Sequence, residues 1–163
     1  NAGKSYVNGV EFQVNARATQ ELSFNFGITY TDSKLSEDLP DTAATGGFDG
    51  DRIPYTPKWS FGGQATYETD LTPDIQGYLT SNFNYRGSSY SEFNDTNDNY
   101  QRLDDYFLLG LRAGARFGTW DASLYVENLT DKAAEIGLRV TGDGYRVYTT
   151  RPRTVGGTLS TTF

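Results

Sequence analysis

Leu22 to Thr31 reads LSFNFGITYT. Its even positions are apolar (Leu22, Phe24, Phe26, Ile28, Tyr30) and its odd positions small or polar (Ser23, Asn25, Gly27, Thr29, Thr31). A helix returns to the same face every three or four residues, whereas a strand returns every two. This stretch is therefore a strand, greasy on one side and wet on the other. The segment before it, VEFQVNARA, repeats the pattern, with Val10, Phe12, Val14, Ala16 and Ala18 set against Glu11, Gln13, Asn15 and Arg17.

Working outward, the alternation recurs along the rest of the chain. Trp59, Phe61, Ala65 and Tyr67 oppose Ser60, Gly62, Gln64 and Thr66; Ile75, Leu79, Phe83 and Tyr85 oppose Gln76, Thr80, Asn82, Asn84 and Arg86. Phe107, Leu109, Leu111, Ala113, Ala115 and Phe117 oppose Gly110, Arg112, Gly114 and Arg116. Trp120, Ala122, Leu124 and Val126 oppose Asp121, Ser123, Tyr125 and Glu127, and the final stretch RTVGGTLSTTF makes a seventh strand. No helical period stands out, so the sequence predicts an all-β antiparallel meander.

The connections alternate in length. Short turns near Ala18 to Glu21, Thr69 to Asp74 and Gly118–Thr119 are interleaved with long excursions over Ser36 to Pro57, Ser91 to Arg102 and roughly Thr130 to Arg146. A β-sandwich has comparable turns at both ends; a trimmed rim opposite an elaborated one is the habit of outer-membrane barrels.

Composition supports the same reading. Mean hydropathy is −0.60, yet 15% of residues are aromatic, an odd balance for a core built on Leu, Ile and Val. No apolar run approaches the ~18 residues of a membrane helix, but a membrane strand needs only about 9–11 alternating residues. Tyr30, Trp59 and Tyr85 lie near the long-loop end of the apolar parity. Tyr67, Phe117, Trp120 and Phe163 lie near the short-turn end. Two such girdles match the interfaces of a bilayer. The absence of Cys and His removes thiol chemistry, disulfides and His-based catalysis, and the net charge of −7 argues against a nucleic-acid partner. No nucleophile–base pair is evident, so no catalytic residue, metal site or cofactor is assigned.

Seven strands do not close an antiparallel ring, and an open edge in hydrocarbon leaves unpaired N–H and C=O groups at several kcal/mol each. The first strand is thus expected to pair with something outside this sequence. Most economically, that is an N-terminal part of a parent polypeptide of which these residues are the C-terminal third or so. A ring of identical copies would need parallel junctions.

Four stretches carry a family likeness: YVNGVEFQVNA (Tyr6 to Ala16), RIPYTPKWSFGGQATYE (Arg52 to Glu68), YVENLTDK (Tyr125 to Lys132) and RPRTVGGTLSTTF (Arg151 to Phe163). In this order the chain resembles the C-terminal barrel region of TonB-dependent outer-membrane receptors. The resemblance implies that residues 1–163 belong to a barrel of about 22 strands with an N-terminal plug. It also implies coupling to TonB through that plug, a bacterial outer-membrane location with lipid around the barrel, and uptake of a scarce nutrient. Phe163 would be part of the signal read by the barrel assembly machinery. The substrate classes implied are a ferric siderophore or an oligosaccharide. A passive porin-like channel and a soluble all-β carbohydrate-binding module are the alternatives.

The polar parity supplies Arg17, Arg86, Arg112, Arg116, Glu11, Glu127 and Asp121 to a lumen, where charge is tolerated. Most of these solvate the wall; Arg86 and Arg112, read as nearer its upper half, are the candidates for contact with an anionic chelate. Tyr90, Phe93 and Tyr100 flank the run NDTNDNY, and Asp41, Asp49 and Asp51 sit in the first long loop; such aromatic and amide groups suit a loop-borne binding surface. Asp95, Asn97 and Asn99 resemble a calcium run, but the Gly is missing and position 12 is Tyr106, so a solvated loop is expected.

Overall fold

The computed structural model describes residues 3–40, 46–141 and 144–162. Seven strands form one antiparallel sheet in the order β1 (Ser5–Arg17), β2 (Leu22–Leu35), β3 (Trp59–Thr72), β4 (Ile75–Arg86), β7 (Tyr106–Phe117), β8 (Trp120–Glu127) and β11 (Thr154–Thr161). Long and short connections alternate as the sequence predicts. Two of the long excursions carry small sheets of their own beyond the seven predicted strands: β5 (Ser89–Tyr90) with β6 (Arg102–Leu103), and β9 (Glu135–Thr141) with β10 (Gly144–Thr149). The last excursion accordingly runs on to Arg153 rather than ending near Arg146. Asp41, Gly142 and Phe163 lie outside the described residues.

Register puts like with like. Val14, Phe26, Gly63, Phe83 and Leu109 stand opposite one another in turn across five strands. On the other parity Asn15, Asn25, Gln64 and Asn82 do the same. A slip of one residue would exchange the two faces, so the pattern itself fixes the pairing. Gly63 has a specific use here. A Cβ on it would fall 2.3 Å from the Asn25 carbonyl oxygen and 3.1 Å from the Phe83 ring. Its bareness lets Phe26 and Phe83 approach across it, with centroids 6.3 Å apart. Phe61 stacks on Tyr85 at 4.6 Å and Tyr30 meets Trp59 at 4.8 Å, which builds the upper aromatic girdle from cross-strand pairs. At the other end Phe117 stands opposite Trp120.

None of the described residues covers this aromatic face. Phe12 is 58% exposed, Leu124 71% and Val155 74%. Among the described residues only Leu35, Leu103 and Ala134 are buried hydrophobics, and all three lie at the long-loop end. A soluble domain buries its apolar side chains against a second layer. A single sheet with an aromatic face left bare is instead the wall of a membrane barrel, with hydrocarbon as the missing layer.

The long-loop end is fastened where β8 leaves the sheet and β11 enters it. Asn128, in the left-handed region at φ 51, is nearly buried. Its amide donates to the carbonyls of Lys132 (3.1 Å) and Arg151 (2.8 Å), and its oxygen accepts from the Lys132 amide at 3.0 Å. Asp131 accepts the Arg153 backbone N–H at 2.8 Å. The VENLTDK and RPR stretches therefore touch: one is the clamp and the other what it holds.

Two outcomes are expected in the intact receptor. Arg at Phe26 or Leu109 should destabilise it by about 2–4 kcal/mol, and Arg at Thr29 by far less, in denaturant unfolding from bilayers. Asn128→Ala should cost about 1–3 kcal/mol in the same assay, because a buried amide and two carbonyls lose their partners.

Candidate functional site

The first long connection doubles back on the end of β2. The Leu35 amide donates to the Asp51 carbonyl and the Gly50 amide to the Leu35 carbonyl, and Lys34 bridges to Arg52. Above the girdle the apolar residues change faces. Leu35, on the polar parity, is only 3% exposed because the loop folds over it. Gly47 lets Leu35, Leu39 and Phe93 close in around it, since a Cβ there would lie 2.7, 3.1 and 3.1 Å from their side chains. Phe93 of the second long connection thus enters a small apolar knot with the first. Asn94 reinforces the junction by donating to the Asp51 carboxylate.

Beside that knot is a cluster of aromatic and cationic groups. Tyr90 and Tyr100 stack face to face with centroids 4.9 Å apart and planes 4° from parallel. The Arg52 guanidinium lies 5.9 Å from the Tyr90 ring centre, within the range of a cation–π contact. Arg86, at the top of β4, donates to the Tyr55 carbonyl, and the Tyr55 amide donates to the Tyr90 carbonyl at 2.7 Å. The β5–β6 hairpin that carries Tyr90 is closed by Ser91, whose hydroxyl donates to the Asn99 carbonyl at 2.6 Å and accepts from the Gln101 amide. Burial, together with the neighbouring Tyr90 and Asp95, pushes the Tyr100 phenol above the ordinary tyrosine range. Burial alone pushes the Glu92 carboxyl upward.

Four of the sequence-predicted residues, Arg86, Tyr90, Phe93 and Tyr100, are therefore gathered at the long-loop end. Arg112 is not with them. It sits opposite Thr80 and Tyr125, six register positions below Tyr106, about 20 Å down the strand. That places it at mid-sheet rather than in the upper half. There its guanidinium donates to the Ser123 hydroxyl at 2.9 Å and lies 4.8 Å from the Tyr125 ring centre. Lower still, Arg116 binds Glu68 at 2.7 Å, Gln76 at 2.9 Å and Asp121 at 3.3 Å, and Asp121 also accepts from Tyr78. These charges satisfy one another along the wall. In the NDTNDNY run, the Asn94 and Asn97 oxygens accept from the amides of Thr96 and Asn99, so they cap turns of their own loop.

Sequence reasoning missed Arg52 and Tyr55. Both lie in RIPYTPKW, a stretch that carried family likeness but no predicted contact.

The bare aromatic face, the polar inner parity and the loops gathered at one rim agree with a family-level match. The family described as TonB dependent receptor-like, beta-barrel matches residues 1–129. The chain belongs to this family. TonB-dependent receptors are β-barrels of the Gram-negative outer membrane, and that is where this chain resides. Solved structures agree on the fold. The ferric yersiniabactin uptake receptor FyuA from Yersinia pestis matches over 98% of the chain at 24% identity and a TM-score of 0.80, using 24% of its own length. The closed form of the ferric-catecholate import receptor Fiu from E. coli K12 matches over 96% at 25% identity and TM-score 0.71, using 20% of its length. The siderophore receptor PiuA from Acinetobacter baumannii matches over 96% at 20% identity and TM-score 0.73, using 22% of its length. The chain thus spans about a quarter or less of these receptors.

Because Tyr100 resists ionisation, its neutral stack with Tyr90 contributes fully below the ordinary tyrosine pKa. That contribution should be lost only as pH rises through the higher folded value. Tyrosinate absorbance of the intact receptor should show a late component that is smaller by one tyrosine in Tyr100→Phe.

Proposed function

We propose that residues 1–163 form the C-terminal part of the wall of a plug-filled barrel of about 22 strands. In this reading the receptor takes up a ferric siderophore across the outer membrane with energy delivered through TonB, which engages the plug. The observation that carries it is the cluster of Arg86, Arg52, Tyr90 and Tyr100 at the long-loop rim, which in barrels of this kind faces the cell exterior. Guanidinium groups recognise anionic oxygens, and stacked phenols offer flat faces to aryl groups. Together they suit a negatively charged chelate with aromatic rings better than a neutral oligosaccharide. The similar receptors point the same way, one taking up ferric yersiniabactin and another importing ferric catecholates.

In this reading Arg86, Tyr90 and Tyr100 contact the chelate, Phe93 holds the two loops together beneath it, and Arg112 offers a second cationic step deeper in the lumen. Phe163 belongs to the signal through which the barrel assembly machinery accepts the chain. The protein acts as a transporter, with no catalytic step.

The test is iron-chelate uptake by cells producing the intact receptor. Arg86→Gln should weaken chelate affinity by about tenfold or more, the usual size for losing a charged hydrogen bond. Uptake should also cease when the inner membrane is de-energised. Unchanged affinity in Arg86→Gln together with uptake that survives de-energisation would favour a passive pore.

A further inference from the structure

Tyr55 sits between two prolines in Pro54–Tyr55–Thr56–Pro57 with φ 58. A bulky L-residue in the left-handed region is a true outlier, and such strain persists only where the surroundings over-determine it. Here three bonds to three separate parts of the chain do so. The Tyr55 amide donates to the Tyr90 carbonyl at 2.7 Å, in the second long connection. Its carbonyl accepts from Arg86 on β4. Its phenol donates to the Leu138 carbonyl at 3.0 Å, on β9 in the third long connection. The prolines contribute stiffness on either side: Pro57 confines Thr56 to extended backbone, and the Thr56 carbonyl then accepts from Arg52 at 3.2 Å.

We infer that Tyr55 is a positioning residue that couples the β9–β10 hairpin to Arg86 and Tyr90, so that the state of the hairpin is felt at the rim site and the reverse. The inference rests on the reading of that site given under Proposed function. Tyr55 aims the Arg86 side chain and the Tyr90 backbone through its own peptide groups, which any residue able to hold φ 58 would supply. Only the phenol reaches the hairpin. The two roles are therefore separable by mutation.

Hydrogen exchange of the intact receptor in bilayer discs tests it. Tyr55→Phe removes only the bond to Leu138. Amides of β9–β10 should then exchange about threefold to tenfold faster, the effect of one net hydrogen bond. Tyr55→Ile, which cannot hold a positive φ without strain, should accelerate β5–β6 as well. Unchanged β9–β10 exchange in Tyr55→Phe overturns the coupling. A second arm adds an iron(III)–catechol complex as probe. In the unmodified receptor it should slow exchange in both hairpins, and in Tyr55→Phe in β5–β6 alone. Slowing of β9–β10 that survives in Tyr55→Phe overturns the coupling. Failure of the unmodified receptor to bind the probe counts against the uptake reading, and the probe-free comparison then decides the coupling by itself.

Discussion

A backbone surrounded by hydrocarbon has no water to satisfy it, and this constraint underlies everything else in the structure. Each strand has to give its N–H and C=O groups to neighbours, which forces a continuous antiparallel sheet. Side chains then divide by parity, because a sheet has only two sides. Among the described residues, Phe12, Phe24, Leu79 and Leu124 lie exposed on the outer side. The inner side carries the amides, hydroxyls and paired charges. Fold and environment are thus one statement, and a chain with so few buried hydrophobics holds its shape because the bilayer takes the place of a core.

The same division explains the site. Within the membrane band, inward-facing cations find partners on the wall: Arg116 pairs with Glu68 and Asp121, and Arg112 donates to the Ser123 hydroxyl over the Tyr125 ring. Above the band, water returns and the rule relaxes. Apolar residues such as Leu35 cross to the inner side and draw the loops down over it. The polar and aromatic groups that this packing leaves beside it, Arg52, Arg86, Tyr90 and Tyr100, are held in place without being used up by structure. The proposed recognition surface lies where the demand for satisfying the backbone has been met by something else.

The membrane strands were legible in the sequence because period-two alternation is imposed by the bilayer at nearly every residue. The mouth was legible only as composition. Tyr90 and Tyr100 stood out as loop aromatics, but no local rule joins Tyr90 to Arg52 or Phe93 to Gly47, because those contacts span two loops. Tyr55 left no trace at all: its function depends on a backbone conformation that propensity assigns to glycine. The β9–β10 hairpin is different, since its signal was present. Ile136 and Leu138 alternate with Gly137 and Arg139, and a Gly stands at the turn. Both of its sides are wet, however, so its alternation has no membrane band behind it.

The Asn128 clamp bears on how such a wall is put together. Strands β8 and β11 are neighbours in space but are separated in the chain by an excursion that carries its own hairpin, and closing a long flexible segment is entropically costly. By gripping Lys132 and Arg151 at once, Asn128 brings the two ends of that excursion together at its base. The final strand then reaches its neighbour already in step, and the excursion above can vary in length and sequence without disturbing the seam below it.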